Sequence, residues 1–330
     1  MSFILNKNPH VISISEENIY WLLKKDYGHY KYYSDIILRN YLKDLFFLVQ
    51  NSDKFSVFFS CSQEQLFNAI KKHSSNINYE TLSKIVYTHA YFGYKNVSLT
   101  SQIINKELQF NPLINDLYLE NKKTKFIILT RDPRAIVYSS IKSGMGRSGY
   151  IYQAEKWLIE MKPLAFCKVP ASQLHYVKYE DLISDTVNIL KKICAFLNLE
   201  FSPSMLNNEG ANQDIINQLK NSANVTPEIL NLLNTRHLST FSSIDIKKIN
   251  EWETNNAFTE QQKRKIDFIC KEVAEKFGYT CASEKVYLNL YDKVQQYLSR
   301  LDHFVAINYL LLPVKLKRIL RHVNVFKFYR

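Results

Sequence analysis

Arg131 and Ser139 are the two residues of this sequence whose types and spacing best suit a phosphate. Arg131 follows an apolar run, Phe126 to Leu129, that reads as a parallel strand covered on both faces. Asp132 and Pro133 behind it form a helix start: an N-cap acceptor, then proline in the first turn. A strand's carboxyl end meeting a helix N-terminus is where open α/β sheets receive ligands, and such helix ends favour anions. Ala135 and Ser139 stand four and eight residues beyond Arg131, on roughly one helix face. Ala135 is small enough to let the guanidinium lie along the helix towards the Ser139 hydroxyl. An arginine fork with a hydroxyl suits a phosphate, each charge-assisted hydrogen bond being worth about 1.5–3 kcal/mol. The same residues also fit an arginine paired with a carboxylate at the sheet rim, and local physics leaves both open.

The stretch KFIILTRDPRAIVYSSIKSG (125–144) resembles the 3′-phosphate-binding motif of sulfotransferases that use 3′-phosphoadenosine 5′-phosphosulfate (PAPS). Two further segments are similar to that family in order and spacing. LHYVKYEDLISDTVNILKKICAFLNLEF (174–201) resembles its strand, Tyr-Glu-Asp and helix; FTEQQKRKIDFICKEVAEKFGY (258–279) resembles its C-terminal helix. The resemblance spans roughly residues 5–280. It implies that Arg131 and Ser139 hold the 3′-phosphate of PAPS and that Tyr179 meets the adenine. Lys95, closing FGYK, is similar to the family's strand-end lysine, although Asn96 and Val97 replace the Thr-Pro that follows it there. LNKNPHVISISEEN (5–18) resembles a segment in which some members carry a catalytic glutamate, which implies Glu16 as general base, with Glu17 its neighbour. Two glutamates opening a helix would equally complement its dipole.

The resemblance further implies a P-loop NTPase-like α/β fold, a three-layer parallel sheet with flanking helices, and transfer of a sulfuryl group from PAPS to a hydroxyl or amine without a metal. The acceptor, whether small molecule, glycan or protein, is not legible. The family's glycine loop for the 5′-phosphosulfate would lie directly upstream of residue 3, so the N-terminal strand and phosphate loop are expected to be missing from this chain. The GRSG at 146–149 looks like such a loop but follows a helix rather than a strand, and no Thr-Thr helix start succeeds it. A catalytically inactive nucleotide-binding or scaffolding relative is the alternative reading.

Bulk properties narrow the remaining classes. The chain has 330 residues with 43 basic against 31 acidic, net +12, which suits an anionic cofactor and equally nucleic acid or an acidic membrane. Nucleic-acid binding is the weaker alternative, because the cations are spread over a sheet-bearing core. The 22 tyrosines and 20 phenylalanines are likewise spread along the chain, which favours packing over a base-stacking platform. Five cysteines without a C-x-x-C pair suggest neither a disulfide framework nor a zinc site. With no long apolar run and no signal-like start, a cytoplasmic protein is expected.

The elements that must position these residues follow from periodicity. A short strand after Pro9 leads to helices near 17–25, 34–49, 62–73 and 79–91, then a second strand at 94–99. A short helix at 112–120 precedes the strand ending at Thr130. A strand at 175–179, a helix at 186–197 and a helix at 260–277 behind the capping box Thr259-x-x-Gln262 complete a domain of residues 1–284. Residues 285–330 read as a basic amphipathic helical tail, broken at Pro313, which docks on the domain or makes peripheral membrane contact.

Overall fold

The structure is a computed structural model that describes residues 1–15, 19–50, 61–73, 77–90, 102–106, 110–144, 147, 149–206, 246–282 and 284–320. The chain divides into two compact units. One comprises Met1–Glu107, Ser202–Ser242 and Asn308–Arg330, the other Leu108–Phe201 and Ser243–Ile307.

The first unit contains α1 (Ser2–Leu5), β1 (Val11–Ser15), α2 (Ile19–Tyr27), α3 (Asp35–Gln50), α4 (Gln63–Lys71), α5 (Tyr79–Ala90) and β2 (Gln102–Lys106). β1 and β2 pair in parallel, Val11 opposite Gln102. The expected strand at 94–99 lies outside the described residues. One core unites Ile12 with the inward faces of α2 to α5, among them Leu23, Leu42, Leu45, Leu66 and Leu82. The tyrosines serve this core, with their hydroxyls satisfied: Tyr27 donates to Asp44 at 2.7 Å and Tyr79 to the Tyr20 carbonyl at 2.6 Å.

The second unit contains α6 (Ile114–Glu120), β3 (Phe126–Thr130), α7 (Pro133–Lys142), α8 (Tyr150–Ala165), β4 (Leu174–Lys178), α9 (Tyr179–Ser184), α10 (Thr186–Leu197), α11 (Glu251–Thr254) and α12 (Glu260–Lys276). Asp132 caps α7 by accepting from the Arg134 amide at 2.8 Å. Thr259 and Gln262 form the reciprocal capping box of α12. That helix stops at Gly278, whose φ of +74° is open to glycine at no steric cost. α7, α8 and α12 share a core with β3 through Val137, Ala154, Trp157, Ile266, Cys270 and Ile128. β3 and β4 pair in parallel, from Phe126 opposite Leu174 to Thr130 opposite Lys178.

The chain ends in α13 (Leu290–Leu311) and α14 (Val314–Leu320), separated at Pro313. In the first unit Val314 joins the core and Arg318 pairs with Asp44 of α3. Among the described residues no helix is long and apolar enough to cross a membrane.

Lys317 of α14 is buried and donates to the Leu310 carbonyl at 2.8 Å. Burial lowers its pKa from 10.5 to about 7, with Asp26 opposing the shift and Lys25 adding to it. The unfolded chain therefore binds the extra proton between about pH 7 and 10.5, so stability should rise with pH across that window. Lys317→Met is expected to stabilise the protein by about 2 kcal/mol at pH 6 and by little at pH 10. Urea midpoints at the two pH values check this, and an equal gain at both would contradict it.

Candidate functional site

The register of β3 and β4 builds the site. Arg131 and Tyr179 are the residues one step beyond the last pair, Thr130 and Lys178, so they emerge side by side at the carboxyl ends of two parallel strands. The Arg131 guanidinium lies over the Tyr179 ring, 4.4 Å from its centroid, and donates through Nη2 to the Lys248 carbonyl at 2.5 Å. Its Nε is buried and has no hydrogen-bond partner among the described residues. A buried N–H donor without an acceptor is uncommon in a finished interior and fits an anion arriving from outside the chain. No carboxylate claims Arg131 among the described residues, so the rim ion pair that the sequence left open is not seen among them.

Asp132 and Glu180 stand one step further on. The Asp132 amide donates to Glu180 Oε1 at 3.1 Å, and the Tyr279 hydroxyl donates to Oε2 at 2.8 Å. The same hydroxyl lies 3.3 Å from Thr130 Oγ1. Lys178 completes the junction, reaching the Gly278 carbonyl at 2.7 Å and sitting over the Tyr279 ring. Burial pushes the Tyr279 phenol above its ordinary range, so it stays a neutral donor. Glu180 thus ties the end of β3, the start of α9 and the segment beyond α12 at one point. On the other side of Asp132, the Arg134 guanidinium forks onto its carboxylate at 3.0 and 2.7 Å. Arg134 also approaches Asp267, whose carboxyl is raised by burial.

Ser139 is half-buried on α7, and its hydroxyl makes no hydrogen bond among the described residues. Ala135, 1% exposed, belongs to the core of the unit. Its small size therefore serves helix packing, and the guanidinium takes the Tyr179 face instead. Glu16 and Lys95 lie outside the described residues. Glu180, Tyr279 and Lys248 went unread in the sequence. The Tyr-Glu-Asp triplet was visible, but nothing local said that its glutamate would meet a tyrosine 99 residues away. Among the described residues no group of three or more His, Cys, Asp or Glu is placed to hold a metal ion.

A model of the sulfotransferase family matches residues 16–203. Two curated relatives carry the description "Putative protein-tyrosine sulfotransferase". That of Caenorhabditis briggsae is 28% identical over 203 residues, covering 58% of this chain and 65% of the relative. That of Caenorhabditis elegans is 28% identical over 170 residues, covering 48% and 64%. The chain thus spans a little under two thirds of the length of these relatives. Among solved structures, the sulfotransferase domain from the Synechococcus PCC 7002 olefin synthase aligns with a TM-score of 0.50 at 17% identity, over 85% of this chain and 90% of that one. At that identity the likeness speaks for the fold alone, a P-loop-like α/β fold. The family match takes in Arg131, Ser139, Tyr179 and Glu180, and the chain belongs to the sulfotransferase family.

Proposed function

We propose that the chain binds PAPS and transfers its sulfuryl group to a hydroxyl acceptor, the tyrosyl hydroxyl of a protein being the acceptor class that the names of its relatives suggest. The observation that carries this reading is the unpartnered Nε of Arg131 beside an aromatic ring at the carboxyl ends of two parallel strands. In this reading Arg131 and Ser139 hold the 3′-phosphate, and the Tyr179 ring, fixed against Arg131, supports the adenine. When bound, PAPS supplies the activated sulfuryl group, so the protein has only to orient it, neutralise charge and manage one proton. Glu16 takes the proton of the acceptor hydroxyl, and Lys95 neutralises charge developing on the bridging oxygen. Both of these roles rest on the family resemblance alone.

Calorimetry with adenosine 3′,5′-bisphosphate tests the anchor. Arg131→Ala is expected to weaken binding by about 1.5–3 kcal/mol, the scale of a lost charged hydrogen bond, and Ser139→Ala by about 0.5–1.5 kcal/mol. Unchanged affinity in Arg131→Ala, or no binding by the wild type at millimolar ligand, would remove the basis of the proposal.

A further inference from the structure

Arg134 stands three residues beyond Arg131, in the first turn of α7, and its side chain is mostly buried. Its guanidinium meets four segments of the second unit at once. Nε and Nη2 donate to the Asp132 carboxylate at 3.0 and 2.7 Å, and Nη2 also reaches the Thr280 carbonyl beyond α12 at 3.4 Å. Nη1 lies 3.7 Å from Asp267 Oδ1 on α12. The group sits over the Trp252 ring of α11, 4.8 Å from its centroid. Asp267 is itself fixed, its Oδ2 accepting from the Ala282 amide at 2.9 Å. An arginine held from this many sides defines the position of whatever else it touches.

Two of those contacts lead to Arg131. The first runs through the backbone. Arg131 and Asp132 share a planar peptide unit. The Asp132 amide is bound to Glu180 and its carboxylate to Arg134, so the direction in which the chain leaves β3 is set from both ends of Asp132. The second runs through the acceptor. Arg131 Nη2 donates to the Lys248 carbonyl, and Lys248 precedes Trp252 by four residues, in the turn just before α11. Lys142 with Glu251 and Tyr138 with Asn255 tie the same segment to α7, but through solvent-facing side chains. Trp252 is its buried hold, 7% exposed and covered by Arg134. The base and the tip of Arg131 are therefore placed by the same guanidinium.

We infer that Arg134 is the positioning residue of the anchor: without touching the nucleotide it aims Arg131, at the backbone through Asp132 and at the tip through Trp252. The inference rests on the reading that Arg131 receives a 3′-phosphate. Calorimetry on the full chain with adenosine 3′,5′-bisphosphate and adenosine 5′-monophosphate, which differ only by that phosphate, tests it. Arg134→Lys keeps the charge but cannot fork. It should weaken bisphosphate binding about tenfold and change monophosphate binding less than about twofold. In an Arg131→Ala background the same exchange should change bisphosphate binding less than about twofold, because nothing is left to aim. Trp252→Leu should repeat the selective loss, and Trp252→Phe, which keeps a ring under the guanidinium, should recover most of it. Urea midpoints show which variants are folded. If Arg134→Lys unfolds, the two Trp252 variants carry the same comparison; if the monophosphate binds too weakly to measure, the Arg131→Ala background decides. Unchanged bisphosphate affinity in a folded Arg134→Lys overturns the inference. So does an equal loss for both nucleotides, the mark of a structural residue, or a loss that persists without Arg131, the mark of a direct phosphate contact. A wild type that does not prefer the bisphosphate, or a preference that survives Arg131→Ala, removes the reading of Arg131 itself and the inference with it.

Discussion

Glu180→Ala is expected to destabilise the protein by about 3–4 kcal/mol, and Glu180→Gln by less than half as much. Glu180 accepts two hydrogen bonds, from the Asp132 amide and the Tyr279 hydroxyl. Bonds to a charged acceptor are worth about 1.5–3 kcal/mol each, and alanine leaves both donors in a part-buried junction with nothing to receive them. Glutamine keeps an oxygen for the Asp132 amide and presents an N–H₂ to the Tyr279 oxygen, so it restores connectivity without charge. Tyr279→Phe, which removes one of the two bonds, should lie between them. Bisphosphate affinity should follow the same order, because Glu180 fixes where β3 ends and α7 begins, and that point carries Arg131. Urea unfolding and calorimetry on the three variants check the order. Equal losses for alanine and glutamine would mean that the junction is held by something other than these bonds.

Local chemistry carried much of the fold into view. Phe126–Thr130 is a strand with no competing period, and Asp132-Pro133 could only start a helix after it. Thr186–Leu197 has an unbroken amphipathic pattern between two breakers, Asp185 at its N-cap and Asn198 in a left-handed turn at its end, and its bounds are those read from the sequence. β2 is the opposite case. Gln102–Lys106 has two apolar residues in five and no alternation; it is a strand because Val11–Ser15 lies beside it, and that pairing is written nowhere in its own residues.

The site divides in the same way. Arg131, Ser139 and Tyr179 were legible because each sits at the end of an element or on its face, where spacing alone assigns a place. Their environment was not. The Lys248 carbonyl that holds Arg131 is 117 residues distant, in a segment with no pattern of its own. The tail shows a further limit. Leu310 and Val314 form an inward apolar pair of the tail, and both are buried. The outward stripe from Leu290 to Phe304 has nearly the same period, and periodicity cannot say which of two apolar faces meets the core.

Asp292 decides that question for α13, and Asp292→Ala is expected to cost about 3–5 kcal/mol, the range for breaking a buried ion pair by removing one partner. The Asp292 carboxylate accepts from Lys265 at 2.6 Å and from the Asn289 amide at 3.0 Å, while its own amide donates to Asn289 Oδ1 at 2.9 Å. The two side chains of the pair are 8% and 3% exposed. Alanine at 292 leaves the Lys265 ammonium against the core of the second unit and removes the acceptor of the Asn289 amide at the start of the helix. Lys265→Met together with Asp292→Leu removes both charges and should recover most of the loss, since an apolar pair of similar volume needs no desolvation. The hydrogen bond to Asp292 raises the Lys265 pKa above 10.5. The part of the pair's contribution that depends on the Lys265 proton is therefore full below that value and fades as pH climbs through the raised pKa in strong alkali. Unfolding at pH 7 compares Asp292→Ala and the double variant with the wild type. If α13 is seated by this pair, Asp292→Ala should loosen the helix, whereas the apolar double variant should keep it in place. A double variant as unstable as Asp292→Ala would show that the helix is held through Asn289 and the backbone rather than through the ion pair.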